Sequence, residues 1–206
     1  MSLFYAIVKF ILYIPARLLL PVKIIGREHC PKEGGVILCC NHTVNLDPVY
    51  LIVALRRQIY FMGKEELFKN PFARLFFKGM NVFAIKRGTG DTVALDNAVG
   101  LVKNGRMMGI FPEGTRSKTG EPGRARSGVA VIAHKTGAPV LPAAMYMPDK
   151  HRFFRRVVLR FGPPIPTGEL RMESETPSEF RRVSSRIMRS VAELWEQSKS
   201  DYPAQR

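Results

Sequence analysis

The sequence predicts an α/β fold: a single domain with a mixed, largely parallel sheet flanked by helices, preceded by an N-terminal membrane-associating helical segment. Three observations carry that expectation. Short apolar runs alternate with helical stretches along most of the chain, which is the order that builds helix-covered sheets. The 206 residues allow one sizeable core and are short for two, with no linker, repeat or low-complexity run between them. Residues 1–22 are markedly apolar yet interrupted by charge and proline, and so separate from the domain expected over 23–206.

Residues 3–22 approach the ~20 residues of a spanning helix. Lys9, Pro15, Arg17 and Pro21 interrupt them, and two cations near a bilayer centre cost about 2.5–3.5 kcal/mol each. An interfacial helix or a broken helical pair is therefore expected over a spanning one. No positive n-region precedes the stretch and no small-x-small site follows it, which argues against a secretory signal.

The run 35–40 is continuously apolar and reads as a buried strand. Asp47-Pro48 is a helix-start signal, Asp as N-cap and Pro in the first turn, opening a helix over 48–57. Further strand-like runs follow at 58–62, 81–86, 106–111, 138–146 and 156–161, with helices between them at 65–79, 91–104 and 127–136. Near the end, Thr176-Pro-Ser-Glu179 has the form of a capping box. Phe180, Val183, Ile187, Val191 and Leu194 then repeat at helical spacing as a core-facing stripe.

Two segments carry candidate chemistry. His42 is a side chain that can accept a proton near neutral pH, and Asp47 is a carboxylate that could fix its tautomer and stabilise the imidazolium. On one continuous helix a step of five residues would set them about 140° apart. A turn through residues 43–46 would bring them together, with Asp47 both capping and orienting. A helix-capping Asp near an ordinary loop histidine fits the same residues.

The second segment, Phe111-Pro-Glu-Gly-Thr-Arg-Ser117, follows a strand with a tight polar turn. Ligands of α/β sheets bind beyond the strand carboxyl ends, so both segments would open onto one crevice. Arg116 suits a phosphate through its planar fork, and backbone N–H groups around Gly114 could form an anion nest. A surface turn with a solvated Arg is the plainer alternative.

His42-x4-Asp47, Gly63-Lys-Glu-Glu-Leu67, Phe111-Pro-Glu-Gly-Thr-Arg-Ser117 and Val140-Leu-Pro-Ala143 resemble, in order and spacing, the four blocks of the glycerolipid acyltransferase family. The likeness runs over about residues 20–165. It implies transfer of an acyl chain from a thioester to the sn-2 hydroxyl of 1-acyl-glycerol-3-phosphate, giving phosphatidic acid in phospholipid biosynthesis. His42 would be the general base and Asp47 its orienting partner. Glu113, Gly114, Thr115 and Arg116 would bind the acceptor, with Lys64 and Arg87 as further phosphate contacts. The Val140 block would bind substrate or pack near the acyl donor. The resemblance implies no covalent acyl-enzyme, no metal and no cofactor, acyl carrier protein or coenzyme A thioester being a substrate. Two positions depart from the family pattern: Val44 stands where many members have Ser, and Arg126-Ser-Gly128 stands where Lys-x-Gly is common.

The formal charge of +15, from 32 Lys and Arg against 17 Asp and Glu, calls for an anionic partner. Zinc-finger spacing, RNP-type aromatics and basic-leucine patterns are absent, which argues against nucleic acid. Aromatic residues cluster with apolar neighbours, as in Phe72-Ala-Arg-Leu-Phe-Phe77, and an anionic membrane accounts for both properties. The expected partners are membrane lipid, lysophosphatidic acid and, through its acidic surface, acyl carrier protein. The expected location is the cytoplasmic face of the cell membrane, peripheral or monotopic.

Three cysteines, with Cys39 and Cys40 adjacent and facing opposite ways on a strand, form neither a disulfide framework nor a local metal clamp. His29, His134 and His151 lack ligand spacing. Met107, Met108, Met145 and Met147 fit a core or the lining of an acyl pocket. Acylation of glycerol-3-phosphate or another lysolipid is the neighbouring activity. From a different class, a basic peripheral protein that only binds anionic lipid would need neither His42 nor Asp47.

Overall fold

A computed structural model describes residues 3–19, 22–86, 92–148 and 156–202. The elements are α1 (Leu3–Leu19), β1 (Val22–Ile25), β2 (Val36–Cys40), α2 (Asp47–Ala54), β3 (Ile59–Lys64), α3 (Pro71–Gly79) and β4 (Val82–Ile85). After them come α4 (Thr92–Lys103), β5 (Met107–Ile110), α5 (Gly128–Thr136), β6 (Val140–Tyr146), β7 (Val157–Phe161) and α6 (Pro177–Ser200).

The strands form one seven-stranded sheet in the order β1-β7-β6-β2-β5-β3-β4. Every neighbouring pair is parallel except β6 with β7, so the expected mixed, largely parallel α/β sheet is the one found. The pleat sends alternate residues of β2 to opposite faces. Ile37 and Cys39 pack under α4, α5 and α6 with Met108, Ile132, Ile187 and Val191. Val36, Leu38 and Cys40 pack under α1 and α2 with Tyr5, Leu51, Met107 and Met145. Burial on both faces holds the Cys39 and Cys40 thiols well above their ordinary pKa. Three of the four methionines at issue, Met107, Met108 and Met145, are core.

The structure changes several boundaries. The helix expected over 65–79 is split, because Asn70-Pro71 is itself a start signal: the Asn70 side chain accepts the N–H groups of Phe72 (2.9 Å) and Ala73 (3.2 Å). Residues Glu65–Phe68 form only a 3-10 turn before it. β1 was not expected; its four residues pair with β7 at the sheet edge. At α6, Thr176 caps through the N–H of Glu179 (3.4 Å), while the Glu179 carboxylate turns to Arg182 (2.8 Å). The expected stripe of Val183, Ile187, Val191 and Leu194 is buried.

The N-terminal segment forms one continuous helix of 17 residues, with Pro15 inside it. Among the described residues, no helix is long and apolar enough to cross a membrane. One side of α1 faces the domain. Tyr5 is buried with its hydroxyl accepting the Ile59 N–H at 3.3 Å. Lys9 donates to the Leu55 carbonyl at the end of α2, where helix carbonyls carry partial negative charge. One of the two cations that would penalise lipid insertion, Lys9, is thus turned toward protein.

Candidate active site

β2, β5 and β3 run side by side and parallel, so the loops that follow Cys40, Ile110 and Lys64 leave the sheet at the same edge. Asn41, just past β2, is buried and fastened to β6. Its amide donates to the Met145 carbonyl at 2.9 Å, and its oxygen accepts the Met145 N–H at 2.8 Å. Sequence reasoning passed over Asn41; the available signal was a fully polar amide ending an apolar run.

The next residue is His42. Its Nδ1 lies 2.7 Å from Oδ2 of Asp47, and that oxygen also accepts the N–H groups of Thr43 (2.5 Å) and Val44 (2.9 Å). The backbone therefore curls around the carboxylate, as the spacing demanded. An ionised carboxylate can only accept, so in the neutral imidazole Nδ1 is the nitrogen that carries the proton and Nε2 the one with the lone pair.

The capping role expected of Asp47 is corrected. α2 begins at Asp47 with Leu46 as N-cap, and the Val49 and Tyr50 N–H groups bond the Leu46 carbonyl at 2.9 and 3.1 Å. Oδ2 is occupied by the preceding turn, and the buried Oδ1 makes no hydrogen bond among the described residues. Asp47 closes the turn before the helix instead of the helix itself.

The imidazole lies flat against Phe111, with ring centroids 4.2 Å apart and planes 20° from parallel. Phe111 in turn stacks on Phe61 at 6.0 Å. An apolar wall thus backs one face of the ring. Cys40 ends the strand beneath, and Tyr50 stands near Asp47, its hydroxyl pushed up to about 12 by burial and by that charge.

Glu113 is buried, and its Oε1 accepts the His42 N–H at 3.3 Å. The Gly123 N–H is a second donor to the same side chain. Burial raises the Glu113 pKa, with these hydrogen bonds and His42 pulling the other way. The carbonyl of the same residue, His42, accepts the Ser117 N–H at 2.7 Å. The base and the Glu-Gly-Thr-Arg turn are therefore joined through the backbone at two points.

The Gly114 N–H closes the turn onto the Phe111 carbonyl at 3.0 Å. With the Ser117 N–H also engaged, the anion nest expected around Gly114 has lost two of its donors. Gly114 sits at φ +71°, and a Cβ there would lie 2.7 Å from Nε of Arg126. The Arg126 side chain thus crosses the turn, anchored by its own N–H on the Pro112 carbonyl (2.8 Å) and by Ser184 on its carbonyl (3.3 Å). Thr115 and Arg116 are exposed at the tip of the turn, and Lys64 is exposed at the end of β3. Arg87 lies outside the described residues.

The described candidate residues, from Asn41 to Arg126, fall inside a match to the Acyltransferase family model, which covers residues 21–146. The chain belongs to the acyltransferase family. Among its curated relatives, the 1-acyl-sn-glycerol-3-phosphate acyltransferase of Bacillus subtilis is 34% identical over 62% of this chain and 64% of its own length. The enzyme of the same name from Borreliella burgdorferi is 30% identical over 68% of this chain and 58% of its own. The chain thus spans about three fifths of these relatives. The crystal structure of the 1-acyl-sn-glycerophosphate acyltransferase PlsC from Thermotoga maritima superposes with a TM-score of 0.72 at 27% identity. That match covers 92% of this chain and 79% of the other. The topology that brings His42 and Glu113 to one sheet edge is therefore shared with a solved acyltransferase.

Proposed function

We propose that this acyltransferase-family chain transfers an acyl group from a thioester to the sn-2 hydroxyl of 1-acyl-glycerol-3-phosphate, giving phosphatidic acid. The observation that carries the reading is the 2.7 Å contact of His42 Nδ1 with Asp47, tied through the His42 backbone to the Glu-Gly-Thr-Arg turn. The names of the curated relatives support the choice of acceptor.

In the proposed reaction His42 Nε2 takes the proton from the acceptor hydroxyl as its oxygen attacks the thioester carbonyl. Asp47 stabilises the imidazolium that forms. The tetrahedral intermediate collapses by breaking the carbon–sulfur bond, and the imidazolium returns the proton to the leaving thiolate. A positioned base of this kind is worth on the order of 10²- to 10⁴-fold. Arg116 and Lys64 contact the acceptor phosphate, Arg126, whose side chain lies against Gly114, is a further cation, and Glu113, Gly114 and Thr115 shape the turn that holds it. The donor is an acyl carrier protein or coenzyme A thioester.

The chain works at the cytoplasmic face of an anionic membrane, held there by α1. Leu3, Phe4, Ile7, Phe10 and Ile11 are exposed on that helix while Tyr5 and Lys9 face the domain, which suits an interfacial helix.

The test is thioester consumption on anionic lipid, with products identified by mass spectrometry. Both donors are offered against lysophosphatidate, glycerol-3-phosphate and neutral lysolipids. Phosphatidic acid from lysophosphatidate, lost in His42→Ala, is the expected result. Turnover confined to another acceptor, or full activity in His42→Ala, would overturn the reading. Arg116→Ala is expected to weaken phosphorylated acceptors selectively.

A further inference from the structure

We infer that α3 is a second bilayer-contacting element, internal to the domain, and that it joins α1 in one cation-rimmed surface for anionic lipid. The inference stands on the surface alone and does not depend on which acceptor is used.

Along Pro71–Gly79, Phe72, Leu75 and Phe76 fall at positions i, i+3 and i+4 of one helix face. They are 83%, 72% and 44% exposed. The opposite side is the one packed on the protein: Phe77 lies against Phe68 at 5.9 Å, and Met80 beyond the helix is buried. Single exposed apolar side chains are ordinary, whereas several large ones on one face mark a contact surface.

α1 makes that surface continuous. The Phe4 ring meets Phe76 edge-on at 6.5 Å, and a Cβ on Gly79 would strike the same ring at 2.4 Å. Two helices far apart in sequence thereby set exposed apolar residues side by side.

The choice of lipid over a protein partner rests on charge. α3 contains no acidic residue, and Arg74 and Lys78 on it and Lys69 just before it are exposed. Aromatic and aliphatic groups between cations suit acyl chains below and phosphate groups above. α3 also follows directly on the β3 end that carries Lys64, so bilayer contact lies next in the chain to the candidate site.

The test uses the full chain as Phe72→Trp on vesicles of phosphatidylglycerol with brominated acyl chains. The native Trp195 of α6 is buried against Tyr146 of β6 and serves as the internal control. Strong quenching of the variant, with the parent unquenched, is the expected result. Binding to the vesicles without added quenching would overturn the proposal. In a second arm, Phe72→Ser/Leu75→Ser/Phe76→Ser removes the exposed apolar face, including the ring that meets Phe4, and should reduce partitioning about tenfold or more. Unchanged partitioning, or equal binding to neutral phosphatidylcholine, would overturn it. So would concentration-dependent self-association through this face in place of lipid quenching.

Discussion

Asp47 holds His42 through the same carboxylate oxygen that closes the backbone turn between them: Oδ2 receives His42 Nδ1 at 2.7 Å together with the Thr43 and Val44 N–H groups. One atom therefore sets both the tautomer of the base and the shape of the loop that carries it. Asp47→Asn keeps the shape and removes the charge that would stabilise an imidazolium. Under the proposed mechanism, kcat should fall on the order of 10²- to 10⁴-fold, with little change in acceptor KM. Asp47→Ala leaves two backbone N–H groups without their acceptor and should also destabilise, by about 1–3 kcal/mol for each group left buried and unpaired. Steady-state kinetics and urea denaturation of both variants separate the two effects.

Glu113 makes a pH-dependent contribution whose direction follows from its burial. Its folded pKa is raised above the unfolded value, so the folded state holds this proton to higher pH. The associated stability is fully present below the unfolded pKa and is lost as pH rises through the folded pKa. Glu113→Gln removes that proton linkage. The wild type should therefore lose stability relative to the variant as pH climbs above the ordinary glutamate range, measured by denaturation midpoints across the acidic limb. An unchanged difference would mean that Glu113 is not the group responsible.

Gly114 has a conformational and a steric reason to lack a side chain. Its left-handed backbone costs an L-residue about 1–2 kcal/mol, and the added methyl would meet Arg126 Nε at 2.7 Å. Gly114→Ala should lower Tm by roughly 2–8 °C for a domain of this size. It should also raise KM for a phosphorylated acceptor by displacing Arg126. Thermal unfolding paired with acceptor titration checks both parts.

Most of the sheet was legible because its central strands are nearly continuous apolar runs, the signature of a parallel sheet covered on both faces. β1 escaped because Val22-Lys-Ile-Ile25 is short, carries a charge and adjoins the apolar N-terminal stretch. The break before α3 was written in Asn70-Pro71 but outweighed by the apolar periodicity on either side. Within the site, the His42–Asp47 turn could be argued from spacing alone. The roles of Asn41 and Glu113 could not, since each depends on a backbone partner distant in sequence: Met145 for Asn41, and His42 with Gly123 for Glu113. Nor could spacing show that Asp47 would spend its acceptor on the preceding turn and leave the helix end to Leu46.

The double hold on the His42 backbone, by Glu113 on its N–H and by the Ser117 N–H on its carbonyl, has a dynamic consequence. A fluctuation that swings residues 113–117 away from the sheet edge must release the base at the same time. Amide hydrogens of His42 and Ser117 should then exchange with solvent as one cooperative unit. Readiness to receive an acceptor and readiness to deprotonate it would rise and fall together.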